Sequence, residues 1–151
     1  MFKIMTLMKR KPGTSMEHLI DYYENNHSAL GVKIWTETGK PPVRYFRRYF
    51  SPMVFAGAPI PDQVPEMPFD VAMELWFDSR EDSDEFFRRG SADPYGEIFA
   101  ADEMNFIDRE KSLMVVLEEH ETDLSACRPV YEAGATEAKC QPGPAIGPTA
   151  L

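Results

Sequence analysis

The chain has 151 residues, of which 43% are apolar and 27% charged, and its formal net charge is −9. That length suits one domain with a hydrophobic core rather than two. The acidic balance excludes a nucleic-acid partner, which needs clustered Lys and Arg, and disfavours anionic membrane surfaces. No apolar stretch approaches membrane-spanning length, so small molecules and other proteins are the expected partners.

Phe2 to Lys9 reads as a first strand, ended by the turn signal Lys11-Pro12-Gly13. Its charges follow the apolar run instead of preceding it, so a strand fits better than a targeting leader, and the cytoplasm is the expected compartment. Thr14 and Glu17 have capping-box spacing. Met16, Leu19, Ile20, Tyr23 and His27 then recur at helical spacing on one face. Val43 to Phe50 is dense in aromatic and β-branched residues and reads as a second strand. Five prolines between Ser51 and Pro68 exclude regular structure there.

Phe69 to Phe77 alternates as a third strand, with Val71, Met73, Leu75 and Phe77 on one face and Asp70, Ala72, Glu74 and Trp76 on the other. Ser79 and Asp82 open a helix that carries Phe86 and Phe87 and stops at Gly90. Asp93-Pro94 restarts a helical turn, on which Tyr95, Ile98, Phe99 and Asp102 share a face. Ser112 to Leu117 is the expected last strand. Residues 1–122 are thus read as one domain, and residues 123–151, rich in Ala, Pro and Gly, as a flexible tail. Cys127 and Cys140 fall in that tail without metal-ligand spacing.

The order β-α-β-β-α-β predicts an α+β, ferredoxin-like fold, with an antiparallel sheet carrying its helices on one side. The opposite face is not plainly polar: strand one is apolar on both sides, and Trp76 shares a face with Glu74. Pairing two such faces in a homodimer would cover them and enclose a pocket between the sheets.

These residues resemble the EthD-like family of dimeric α/β barrel proteins. The resemblance rests on Lys9-Arg10-Lys11-Pro12-Gly13 after the first strand and on Tyr22 to Leu30, which looks like the family's Tyr-x-x-x-His-x-x-Leu segment. It continues through Val43-Arg44-Tyr45, Phe69 to Phe77, Ala101-Asp102-Glu103, Phe106-Ile107-Asp108, and Leu113 to His120, covering about residues 2 to 121. It implies a dimeric ferredoxin-like barrel. It also implies chemistry of the isomerase, dehydratase, cyclase or decarboxylase kind on lactones or polyketide-derived phenolics, with cofactor-free oxygenases in neighbouring branches.

His27 ends an apolar stripe, and an imidazole there can exchange a proton near neutral pH. The residues alone leave it equally a cation capping a helix C-terminus; the resemblance favours the functional role. Asp102, a carboxylate on an apolar stripe, either orients His27, accepts a proton, or bonds a loop amide. Glu74, facing Arg47 or Arg44, is either a structural ion pair or a second acid–base group. Tyr45 could donate to an oxyanion, and Tyr23, Tyr49, Arg47 and Trp76 are expected to contact substrate.

His18 and His120 are expected at the surface. No glycine-rich phosphate loop, metal-spaced His/Cys cluster or Gly-x-Ser-x-Gly elbow is present, so no cofactor or metal is expected. The reading that follows is an acid–base enzyme without a cofactor. The alternatives are a cofactor-free oxygenase and a binding or accessory protein.

Overall fold

The computed structural model describes residues 1–52 and 66–124. The Pro-rich segment of 51–68 and the tail of 123–151 therefore lie mostly outside the described residues. Among the described residues, all regular elements fall in a compact unit spanning Met1–Leu117, and a second unit starts at Glu118.

The elements run β1 (Phe2–Arg10), α1 (Met16–Tyr22), a π-helical turn (Tyr23–His27), α2 (Ser28–Thr38), β2 (Arg44–Tyr49), β3 (Val71–Phe77), α3 (Arg80–Gly90), α4 (Tyr95–Glu103) and β4 (Ile107–Val116). The sheet has the order β2-β3-β1-β4, and every neighbouring pair is antiparallel. This is the ferredoxin-like arrangement expected from the strand and helix order.

Local chemistry explains most boundaries. Ser15, not Thr14, caps α1: its Oγ accepts from the His18 amide at 3.1 Å. Ser79 caps α3 as expected, accepting from the Asp82 amide at 3.1 Å. The first helix does not stop at His27. It passes through the π turn and continues to Thr38, where Gly39 at φ 72° supplies the left-handed C-terminal cap.

β4 starts at Ile107, five residues before the expected Ser112. Its first residues are mostly charged and carry no apolar alternation. They become strand through pairing with Lys9 and Arg10, across a register shift between Leu7 and Lys9. Ser112 fits that irregularity, its Oγ accepting from the Lys9 amide at 3.2 Å and donating to the Asp108 carbonyl at 2.7 Å.

The core lies between one sheet face and the helices, in two clusters. Ile4, Ile34, Trp35, Leu75, Phe77 and Phe86 form one; Met8, Leu19, Tyr23, Val71, Phe106 and Ile107 form the other. Val71, Leu75 and Phe77 all point to this face, as the alternation of β3 requires. Members of both clusters, among them Trp35, Leu75, Met8 and Tyr23, line one cavity.

Candidate active site

The site begins with the π turn. Such i→i+5 turns are rare and often mark functional positions. Tyr23 and His27 are both buried there, with ring centroids 5.0 Å apart, edge to face. Phe106 and Phe99 close on the imidazole at 4.9 and 5.7 Å. Because the helix continues past His27, the helix-capping role left open by the sequence does not apply.

Asp102, near the end of α4, reaches His27 directly: its Oδ2 lies 2.6 Å from His27 Nδ1. Its other oxygen, Oδ1, accepts from the Tyr22 hydroxyl at 2.9 Å, and Asn105 Nδ2 donates to that hydroxyl at 2.8 Å. Burial and the Asp102 carboxylate both push the Tyr22 phenol up, so it stays protonated and remains a donor. With Asp102 at Nδ1, the favoured neutral tautomer carries its proton there. Nε2 is then the basic nitrogen, without a partner among the described residues.

His27, Tyr23 and Tyr45 line a cavity of about 280 Å³ between the sheet and its helices, walled by apolar residues such as Met8, Phe86 and Phe99. Burial, the largest cause, raises both the Tyr23 and Tyr45 phenols, so both are donors at neutral pH. The cavity belongs to one chain and sits on the helix side of its sheet. It is distinct from the pocket expected between the sheets of two paired copies.

The model of the EthD domain matches residues 11–110, about two-thirds of the chain. The chain belongs to the EthD family. This EthD protein is also similar to At3g17210 from Arabidopsis thaliana, with a TM-score of 0.50 and 16% identity, over 79% of this chain and 95% of that one. A dimeric ferredoxin-like protein of unknown function from Thermobifida fusca is similar at TM-score 0.43 and 15% identity, over 77% and 88% of the two chains. No curated protein matches the chain. At such identities the first solved structure supports the fold alone.

The EthD domain brings some expected site residues together and separates others. Glu74 and Trp76 project from the sheet face opposite this cavity, the face they were expected to share. The buried Glu74 carboxylate binds Arg48, not Arg47 or Arg44, and accepts from Trp76 Nε1. Arg48 occurs directly after Arg47, so the one-residue offset puts it on the other face of β2.

Arg47 and Tyr49 also lie outside the cavity lining. Arg47 forks onto Glu24 through Nε at 2.9 Å and Nη2 at 2.7 Å, while Tyr49 donates to the same carboxylate at 2.6 Å. Arg47 also lies over the Tyr45 ring at 4.5 Å, so this cluster buttresses Tyr45 from behind. His18 and His120 are exposed, as expected.

Two groups on the cavity were not among the expected site residues. Glu103 follows Asp102 on α4, and Arg109 comes from the charged start of β4; Arg109 Nε lies 3.0 Å from Glu103 Oε2. Burial raises the Glu103 carboxyl, with Arg109 and His27 pulling it back and Asp102 adding to the rise. Tyr22 was seen as part of a family segment, but its bond to Asp102 joins residues 80 positions apart and has no local signature.

Proposed function

We propose that this EthD domain is an acid–base enzyme that needs no cofactor and acts on a small aromatic, lactone or polyketide-like ligand. One observation carries the reading: a buried His27, oriented through Nδ1 by Asp102 at 2.6 Å, in the wall of a largely apolar cavity. His27 Nε2 takes a proton from the ligand, and the resulting imidazolium is stabilised by the Asp102 carboxylate. Tyr22 donates to the other oxygen of that carboxylate at 2.9 Å and so helps to hold it against the imidazole. Tyr45, held protonated by burial, donates to the oxygen on which charge develops. These parts fit isomerisation, dehydration, cyclisation or decarboxylation, each of which needs one proton moved and one enolate-like oxygen steadied.

The test is a melting-temperature screen with lactones, hydroxylated aromatics and keto-phenolics, because a ligand that binds the folded state raises the midpoint by mass action. Each hit is then followed for conversion and for oxygen consumption, with wild type and His27→Ala. Conversion without oxygen uptake that is lost in a folded, ligand-binding His27→Ala supports the reading. A folded variant that still turns over would end it. Oxygen uptake would make the protein an oxygenase, and binding without conversion a carrier.

We also propose that the face away from the helices pairs with a second copy. It presents Met5, Leu7, Phe46, Trp76, Leu113 and Val115, and Leu113 is 43% exposed. A mass in solution equal to one chain would refute this pairing.

A further inference from the structure

The cavity holds an acid–base complement that the reading of His27 leaves unused. Among its described lining residues, the ionisable groups besides the two phenols are His27, Glu103 and Arg109. Asp102 and Glu103 are consecutive on α4, so their side chains diverge by about 100° around the helix. The first turns to His27 and Tyr22, and the second to the cavity and β4. The Glu103 side chain is 26% exposed and that of Arg109 52%, so the carboxyl is the more buried member and the guanidinium the more exposed one.

We propose that Glu103 is the second proton-transfer group of this cavity, with Arg109 as its counter-ion, so that a ligand loses a proton to His27 and gains one from Glu103. This rests on the acid–base reading of His27 and narrows it to ligands that exchange protons at two atoms. A C–H bond breaks, its proton goes to Nε2, and its electron pair becomes the new π bond. The Glu103 O–H then delivers its proton either to the far carbon of the shifted double bond or to a departing hydroxyl, which leaves as water. The Glu103 carboxylate so formed is left facing Arg109, and solvent exchange resets both groups. The charged or titratable groups facing Glu103 are Arg109 on β4, His27 on the π turn and its neighbour Asp102.

The probe is 3-cyclohexen-1-one in D₂O, a ring whose shift to the conjugated enone needs removal of an α-proton and delivery at the γ-carbon. NMR reads both events separately. The expected result is that Glu103→Gln keeps α-exchange but loses γ-deuteration by about 100-fold. In Arg109→Gln, the loss of rate at high pH should move upward, because removing the cation makes the carboxyl harder to ionise. Wild-type γ-deuteration in Glu103→Gln would overturn the proposal while leaving His27 in place. Absence of α-exchange in the wild type would overturn both. An Arg109→Gln profile that does not move would remove Glu103 as the group setting that limb.

Discussion

Replacing Asp102 by Asn keeps its shape and removes its charge. The carboxylate accepts two hydrogen bonds, from His27 Nδ1 at 2.6 Å and from Tyr22 at 2.9 Å. An amide offers one acceptor and one donor in their place. If its oxygen stays with Tyr22, its NH₂ faces His27 and drives the imidazole proton onto Nε2, which ends its service as a base. If the amide flips, its NH₂ meets the Tyr22 hydroxyl, already a target of the Asn105 donor at 2.8 Å. Either way, the negative charge that stabilises the imidazolium is gone.

A hydrogen bond to a charged group contributes about 1.5–3 kcal/mol, so turnover should fall by roughly 10- to 150-fold at about 1.4 kcal/mol per factor of ten. The tautomer can be read without any substrate by nitrogen NMR of labelled His27, and turnover by the ligand that the thermal screen yields. An Asp102→Asn protein that keeps its proton on Nδ1 and turns over at the wild-type rate would refute the orienting role.

Three further outcomes follow from the same geometry. Arg47 holds the Glu24 carboxyl below its usual value of 4.5, so its stabilisation is present above that pH and lost as pH falls through the folded value. Glu24→Gln should therefore be less stable than wild type at neutral pH, with the gap closing in acid; urea melts across pH check this, and a gap that persists in acid would contradict it. Gly39→Ala should lower stability by about 1–2 kcal/mol, since φ is 72° and the nearest foreign atom to an added Cβ, at 3.8 Å, presents no clash. A shifted denaturation midpoint at unchanged slope is the expected signature. His27→Ala should retain ligand-induced stabilisation while losing conversion, which the paired melt and turnover measurements separate.

The site was partly legible in the chain. His27 and Asp102 each end an apolar stripe at helical spacing, and a polar group in that position implies a buried partner. Their pairing across 75 residues was one of several partnerships those stripes allowed. Glu74 shows the limit of the same logic. Period-two alternation correctly divided β3 into two faces, yet its partner among three arginines and the face that lines the cavity depend on where the helices pack. Glu103 and Arg109 were missed because a charged helix end followed by a charged strand start reads as a solvated connection.

The sequence by itself determined the element order, the apolar faces of the helices and of β3, and hence the ferredoxin-like sheet, because periodicity and turn chemistry are local properties. Only the tertiary structure decided that the first helix runs through a π turn, that β4 begins in a charged segment, and that the cavity lies on the helix side of the sheet. Each of those outcomes depends on contacts between distant residues. Their free energy comes from burial and pairing, which no local spacing encodes.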